Sequence, residues 1–147
     1  MLFRSEGDSV LWVLPMAYHF VVSILTYVRF GITLVLPEDD SPESLLVSAR
    51  EHSPTMLYAS PPVVQSLACA TSQLQLPATM RVVSTSSCLY PQHAHAFVER
   101  FGIAVEQFYG LFEVGLPIGS GAAGQREAAS VGSGLPQYEV EIGRAHV

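Results

Sequence analysis

The sequence predicts an α/β fold in which a mostly parallel, doubly wound sheet carries helices on both faces. Short apolar runs rich in Val, Ile and Leu alternate along the chain with stretches of helical length. Proline, glycine and polar clusters separate these segments, and each connection is long enough for a helical crossover between parallel strands. The predicted order of elements is β-α-β-α-β-α-β-α-β.

The first three elements are expected within the most hydrophobic part of the chain. Residues 9–14 are rich in Trp, Val and Leu and stop at Pro15, which predicts a buried strand. Residues 17–30 are apolar on all faces, which predicts a buried helix with Gly31 as its C-cap. Residues 32–36 are rich in β-branched side chains and form the predicted second strand.

Three further helix–strand units complete the predicted sheet. Ser41 is suited to cap a helix that has Pro42 at its first position and that ends at Ser53-Pro54. Pro61 and Pro91 open the next two helices in the same way. The strands of these units are expected at residues 55–59, 80–83 and 105–109.

The segment after the fifth strand departs from this alternation. Residues 115–134 are rich in Gly, Ala and Ser and are expected to form a loop, and a new alternating strand is expected at residues 138–141. Residues 119–124, GSGAAG, match the dinucleotide fingerprint G-x-G-x-x-G. That fingerprint needs a strand before it and a helix after it, and neither is predicted here. A flexible loop is favoured, and a dinucleotide-dependent oxidoreductase is kept as the weakest functional hypothesis.

Composition and charge limit the possible partners and mechanisms. Apolar residues make up 49% of the sequence, enough for a core, and the net charge of −6 without a basic run argues against nucleic acid or anionic membrane. Polar and helix-breaking residues interrupt the hydrophobic stretch 11–36, so no transmembrane segment is expected. The sequence contains no lysine, which excludes P-loop phosphate binding and Schiff-base chemistry within it. Cys69 and Cys88 show no metal or disulfide spacing, so a cytoplasmic location is expected.

Two consecutive strand ends carry candidate site residues. The fifth strand ends at Tyr109-Gly110 and is followed by Glu113, and the fourth strand runs into the small-residue turn 84–88. An aromatic ring can stack on a base, a glycine lets backbone approach a ligand, and a carboxylate can hold a metal. Because the carboxyl ends of parallel strands share an edge where ligands bind, both turns can face one ligand. An ordinary strand-to-loop junction and a helix-capping turn are the alternatives.

Histidines are weaker candidates. His19 follows the first strand and is expected either to be a hydrogen-bonded histidine of a core helix or to form a wall of a substrate pocket. His93 and His95 do not share a helix face, so joint metal ligation is not expected. Cys88 is expected to be a small packed residue rather than a nucleophile, since no Lys or Arg lies near it in sequence.

Several segments carry a family resemblance when they are taken in order. They are 14–20 (LPMAYHF), 81–89 (RVVSTSSCL), 97–102 (FVERFG), 107–113 (QFYGLFE) and 130–140 (SVGSGLPQYEV). These segments resemble motifs of the adenylate-forming (AMP-binding) superfamily. The first resembles its Leu-Pro…His segment, and the second resembles its stretch ending in G-A-P-L. The third and fourth resemble the approach to its Y-G-x-T-E motif and that motif itself, and the fifth resembles its S-V-G-x-x-x-P-x-x-x-V strand. The resemblance is strongest to the acyl-CoA synthetases and spans nearly all of residues 8–141.

The resemblance implies an ATP-dependent acid–thiol ligase that forms an acyl-adenylate and then an acyl thioester. Its implied cofactors are ATP, Mg²⁺ and coenzyme A, and its partners are a carboxylic acid and a thiol. Glu113 would hold Mg²⁺, and Tyr109 would stack on adenine. The implied nucleotide-binding residues are Ser86, Ser87, Cys88, Gln107, Phe108, Tyr109, Gly110, Leu111 and Phe112, and the implied acyl pocket is Tyr18, His19 and Val22.

Departures from the family pattern limit what the chain is expected to do alone. Phe112 replaces the threonine of Y-G-x-T-E, and Ser86 and Cys88 replace the glycine and proline of G-A-P. The phosphate-binding loop and the catalytic lysine of the family have no counterpart in this sequence. Residues 1–5 and 142–147 back-translate to sequencing adapters, so we expect residues 6–141 to be a partial adenylation domain that is inactive by itself. A non-catalytic nucleotide-binding or protein-interaction module is the alternative.

Overall fold

A seven-stranded sheet forms the centre of the computed structural model, which describes residues 7–111, 113–120, 130–141 and 143. Its strands are Ser9–Trp12 (β1), Thr33–Val35 (β2), Met56–Ala59 (β3), Arg81–Ser84 (β4), Val105–Leu111 (β5), Gly115–Gly119 (β6) and Ser133–Gly134 (β7). They lie side by side in the order β2-β1-β3-β4-β5-β6-β7. Neighbours from β2 to β5 are parallel, and β6 and β7 extend the sheet in antiparallel fashion.

Helices form every crossover between the parallel strands. The β1–β2 crossover comprises Met16–His19 (α1), a π-helical turn at Phe20–Ile24 and Leu25–Arg29 (α2). The later crossovers contain Pro42–His52 (α3), Pro61–Cys69 (α4) and Pro91–Phe101 (α5). Each of these three helices starts with the proline that predicted it, because proline is pre-organised for the first helical position. In the described ranges, every helix falls short of the length and apolarity that membrane crossing requires.

The strand order accounts for the two layers of helices. The chain moves from β1 to β2 in one direction and then returns past β1 to β3, β4 and β5 in the other. Right-handed crossovers therefore place α1–α2 on one face and α3, α4 and α5 on the opposite face. The buried side chains agree, since Leu45, Leu67 and Phe97 pack on one face and Tyr27 packs on the other. The predicted doubly wound α/β architecture is confirmed.

The composition of the first crossover predicts a helix buried on all sides, and this prediction is wrong. Tyr27 is fully enclosed between this helical segment and the sheet. Val21, Leu25 and Val28, which are spaced to share an outer face, are exposed in the described structure. The helical segment therefore has one core-facing side and one apolar outer side.

Predictions for the C-terminal segment are partly wrong. Residues 115–119 and 133–134 form strands instead of a loop, because β6 pairs with the end of β5 through Phe108↔Gly119 and Tyr109↔Ile118. Residues 138–141 are not in a strand. Instead, the Tyr138 hydroxyl donates a hydrogen bond to the carbonyl oxygen of Val114 at 2.8 Å, which ties this segment to the β5–β6 hairpin.

Candidate functional site

The carboxyl ends of β1, β3, β4 and β5 lie along one edge of the sheet, and the predicted site residues are distributed along this edge. Winding reverses between β1 and β3, because β2 lies on one side of β1 and β3 on the other. Such a reversal opens the crevice in which doubly wound sheets bind ligands. His19 lies beside this reversal, the turn after β4 comes next, and Tyr109 lies on β5.

Tyr109 and the turn after β4 each follow a strand end at which β4 and β5 are paired. Ser84 ends β4 and pairs with Gln107, so Ser86 and Tyr109 each lie two residues beyond the last pair of this ladder. From Phe108 onward, β5 pairs with β6 and continues past the parallel edge. Tyr109 and Leu111 are exposed on this extension, and residues 86–88 are exposed in the turn after β4. The prediction that Cys88 is a packed residue is therefore wrong.

Gln107 and Phe108 lie inside the fold rather than on the exposed edge. The Gln107 amide donates to Ser120 Oγ at 2.9 Å, and the Gln107 carbonyl accepts from the Ser120 amide at 2.9 Å. A Cβ on Gly119 would lie 2.2 Å from Phe108 Cε1, so the Phe108 ring occupies the space that a side chain would need. These contacts fix the base of the extension that presents Tyr109.

The β5–β6 hairpin positions the predicted metal ligand. Glu113 is exposed in the turn of this hairpin, which is closed by a hydrogen bond from the Val114 amide to the Leu111 carbonyl oxygen at 3.2 Å. A Cβ on Gly110 would lie 2.9 Å from the Gly115 carbonyl oxygen, so packing within the hairpin already requires a glycine there. Phe112 lies outside the described residues.

Glu113 is a single carboxylate rather than part of a metal cage. Within residues 7–111, 113–120 and 130–141, no group of three or more His, Cys, Asp or Glu side chains could hold a metal ion. Mg²⁺ at nucleotide sites is commonly held by one or two carboxylates together with phosphate oxygens and water. An exposed carboxylate in the β5–β6 turn fits that kind of binding.

Ser86 has a backbone conformation that favours glycine. Its φ is +76°, in the left-handed region, and the G-A-P pattern that this turn resembles has glycine at the same position. An L-residue in this region is strained by about 1–2 kcal/mol. The chain therefore keeps the turn geometry that the glycine of G-A-P would allow, although the residue is serine.

We expect Ser86→Gly to raise the free energy of unfolding by about 0.5 kcal/mol. Relief of about 1 kcal/mol of backbone strain should exceed the added entropy of the unfolded chain, about 0.5 kcal/mol. Ser87→Gly is the matched control and should lower the free energy of unfolding. Urea unfolding followed by the fluorescence of Trp12, the single tryptophan, measures both. Equal losses of unfolding free energy in the two variants would show that the backbone of Ser86 is not strained.

An aromatic cluster occupies the reversal between β1 and β3. Trp12 and Tyr58 pair across the two strands, and their rings stack with centroids 5.5 Å apart and an interplanar angle of 5°. The His19 ring packs edge-on against Trp12 at 5.5 Å and against Tyr58 at 6.2 Å. The π-helical turn begins directly after His19. The side chains of Tyr18 and Val22 lie outside the described residues.

Sequence reasoning did not identify Trp12, Tyr58 or Thr85 as parts of this region. All three are buried, and each is an ordinary residue of a strand or strand end when it is viewed locally. Only the placement of β3 beside β1 brings Tyr58 to Trp12. Burial raises the pKa of Tyr58 to about 12.

His19 should make stability depend on pH. Burial lowers the pKa of His19 below its ordinary 6.5, so the unfolded chain binds this proton more readily than the folded chain. The stability contributed by neutral His19 is full above pH 6.5 and is lost as pH falls through the lower folded pKa. His19→Gln should therefore reduce the fall in urea midpoint between about pH 7.5 and about pH 5.5. Exposed His95→Gln is the control and should leave that fall unchanged. An equal fall in urea midpoint in all three proteins would contradict the assignment.

The sequence profile of the family described as "AMP-binding enzyme" matches residues 2–145. The chain belongs to the AMP-binding enzyme family. Sulfoacetate–CoA ligase from Cupriavidus necator is 33% identical to it over 134 residues, which are 87% of this chain and 26% of that ligase. The chain thus spans about a quarter of the length of that ligase, 26% of its residues. The predicted family resemblance is confirmed.

Solved structures of adenylate-forming ligases share the fold of this AMP-binding chain. Amide bond synthetase McbA from Marinactinospora thermotolerans, solved as a mutant, has a TM-score of 0.85 at 23% identity over 99% of this chain and 31% of its own. A malonyl-CoA ligase with methylmalonyl-CoA and AMP bound has a TM-score of 0.78 at 23% identity, covering 90% of this chain and 30% of its own. The anthranilate CoA ligase AuaEII in complex with anthranoyl-AMP has a TM-score of 0.77 at 20% identity, covering 92% and 27%.

Proposed function

We propose that this chain supplies the adenine-binding edge and one wall of the acyl pocket of an ATP-dependent acid–thiol ligase. Membership of the AMP-binding family and the relationship to a CoA ligase support the proposal. One observation carries it. Ser84 and Gln107 form the last pair between β4 and β5 at the carboxyl edge of the sheet, and left-handed Ser86 and exposed Tyr109 each lie two residues beyond it, where a planar base can stack against the ring and contact backbone.

The proposed reaction has two steps. A carboxylate oxygen of the acid attacks the α-phosphorus of ATP, the bond to the bridging oxygen breaks, and pyrophosphate leaves. The sulfur of a thiol such as coenzyme A then attacks the acyl carbon and gives up its proton to water, and AMP leaves as the bond between the acyl carbon and the phosphate oxygen breaks. Bound Mg²⁺ would neutralise negative charge on the phosphates.

The residues of this chain bind and orient in the proposed reaction. Tyr109 stacks on adenine, and the backbone of residues 86–88 contacts its edge. The exposed Glu113 carboxylate in the β5–β6 turn would hold Mg²⁺. Residues 18–22, with His19 against Trp12 and Tyr58, wall the acyl pocket.

We propose further that the chain binds nucleotide without completing the ligation alone. Its sequence has no lysine, and Phe112 replaces the hydroxyl residue of Y-G-x-T-E. These two features also favour the second candidate function, a non-catalytic nucleotide-binding module. The two candidates differ in whether the complete protein activates an acid.

Titration of AMP into the chain, followed by calorimetry, tests the proposal. Saturable binding of AMP is expected, and NAD should compete weakly because it carries the same adenine. Failure to bind AMP at millimolar concentration would overturn the adenine-site assignment. Acid-dependent exchange of pyrophosphate into ATP is expected to be absent for the chain alone, and its presence would contradict the binding-only role.

A further inference from the structure

The segment after β7 folds back onto the hairpin turn that carries Glu113. Where β7 ends, the Leu135 amide donates to the Pro117 carbonyl oxygen at 2.8 Å, and the Leu135 side chain packs against the core that contains Tyr27. The Tyr138 amide then donates to the Leu135 carbonyl oxygen at 2.9 Å, which closes a β-turn over residues 135–138. The segment that carries Tyr138 is therefore anchored to both β6 and the core.

The Tyr138 hydroxyl contacts the end of the hairpin turn. It donates to the Val114 carbonyl oxygen at 2.8 Å, a normal length for such a bond. It also lies 3.7 Å from the position that a Cβ on Gly115 would occupy. Gly115 begins β6 with a φ of +83°, so the hydroxyl lies where the chain leaves the turn and enters this strand.

Val114 is held at both of its backbone polar groups. Its amide donates to the Leu111 carbonyl oxygen at 3.2 Å within the turn, and its carbonyl oxygen accepts the bond from Tyr138. Glu113 directly precedes Val114, and both side chains are exposed, so packing contributes little to the order of this turn. Hydrogen bonds therefore fix the backbone beside Glu113.

We propose that Tyr138 is a positioning residue for the Glu113 carboxylate and that it acts through the Val114 carbonyl group. The inference rests on the proposed function, in which Glu113 would hold Mg²⁺ on the phosphates of ATP. Mg²⁺ demands near-ideal octahedral geometry, so a carboxylate on a fixed turn binds it better than one on a loose turn. Loss of the Tyr138 hydroxyl should loosen the turn and weaken metal binding, while binding of the base is kept.

Amide hydrogen exchange in the complete chain measures how firmly the turn is held. The Val114 amide reports on the turn, and the Arg81 amide, which donates to the Thr55 carbonyl oxygen at 3.0 Å, reports on the parallel sheet. Tyr138→Phe keeps the ring and removes the donor. It should accelerate exchange at Val114 relative to Arg81 by about 2–5-fold, the effect of one lost exposed hydrogen bond.

Ser130 provides a matched control in the same segment. Its hydroxyl oxygen accepts a hydrogen bond from the Gly132 amide at 3.1 Å. Ser130→Ala therefore removes a hydroxyl and one hydrogen bond from the segment without removing the bond to Val114. It should leave the exchange ratio unchanged, whereas a general stabilising role for Tyr138 predicts that the two variants behave alike.

Calorimetric titration with AMP and ATP separates positioning of the metal ligand from general stability. The ratio of the ATP dissociation constants without and with Mg²⁺ measures what the metal adds to binding. Tyr138→Phe should lower this ratio by about 2–5-fold and keep the AMP dissociation constant within about twofold of the wild-type value. Glu113→Gln should lower the ratio further, because an amide lacks the charge that attracts the metal. Adding Tyr138→Phe to Glu113→Gln should change the ratio no more.

Each outcome bears on a separate part of the inference. An unchanged exchange ratio or an unchanged Mg²⁺ ratio in Tyr138→Phe would overturn it, as would equal weakening of AMP and Mg²⁺–ATP binding. A wild-type chain that binds AMP but gains nothing from Mg²⁺ would overturn the metal assignment of Glu113 and the positioning role with it. Failure of the wild-type chain to bind AMP would instead overturn the proposed function, and the exchange ratio would still decide whether Tyr138 holds the turn.

Discussion

Arg81→Met should lower the free energy of unfolding by about 2–3 kcal/mol, because it leaves the carboxylate of Glu106 buried without its partner. Arg81 Nε donates to Glu106 Oε1 at 2.9 Å, and Arg81 Nη2 donates to Oε2 at 2.8 Å. The Glu106 side chain is 7% exposed and that of Arg81 is 41% exposed, so water offsets part of the loss. Hydrogen bonding to Glu106 raises the pKa of Arg81.

The chain contains an exposed ion pair that serves as the control for this prediction. Arg50 Nη2 and Glu51 Oε1 are 3.9 Å apart, and the side chains are 58% and 56% exposed. Arg50→Met should change the free energy of unfolding by less than about 0.5 kcal/mol. Urea unfolding followed by Trp12 fluorescence and circular dichroism measures both variants. Similar losses for Arg81→Met and Arg50→Met would show that burial of Glu106 is not what makes its pair important.

The parallel part of the fold was predictable because its signals are local. Pro42, Pro61 and Pro91 each mark a helix start, and each short apolar run between helices became a strand. The glycine-rich β6 was not predictable in this way. Its strand forms because β5 offers an edge and because the Phe108 ring packs where Gly119 has no side chain. This pairing with β5 overrides the low strand propensity of glycine. It is a tertiary contact, so the local sequence of β6 does not predict it.

The same distinction separates the two parts of the candidate site. Tyr109 and the Ser86 turn were predicted to lie together because consecutive parallel strands share an edge, and the two strands that lead to them are paired up to Ser84 and Gln107. The cluster of Trp12, Tyr58 and His19 depends on the reversal of strand order, which adjacent sequence does not encode. The π-helical turn after His19 is equally invisible, since an apolar helical pattern does not distinguish five-residue from four-residue spacing.

Tyr109→Ala should weaken AMP binding by the chain about tenfold or more, since base–aromatic stacking contributes about 1–3 kcal/mol per base. The Tyr109 ring is 47% exposed at the edge of the sheet and available to a ligand. Its backbone pairs with Ile118, and that pairing does not depend on the ring. The substitution should therefore affect binding more than folding. Calorimetric titration with AMP measures the dissociation constant, and urea unfolding measures the stability of the same variants.

Two further variants distinguish base stacking from hydroxyl recognition and from non-specific adsorption. Tyr109→Phe keeps the ring and should bind AMP within about twofold of the wild type, because stacking needs the π-face rather than the hydroxyl. Phe30→Ala removes an aromatic ring that is 43% exposed. Phe30 lies in the turn before β2, the outermost strand on the other side of the sheet from β5, so this substitution should leave AMP binding unchanged. Equal losses for Tyr109→Ala and Phe30→Ala would indicate non-specific adsorption to exposed rings. Equal losses for Tyr109→Ala and Tyr109→Phe would place the hydroxyl, rather than stacking, at the centre of recognition.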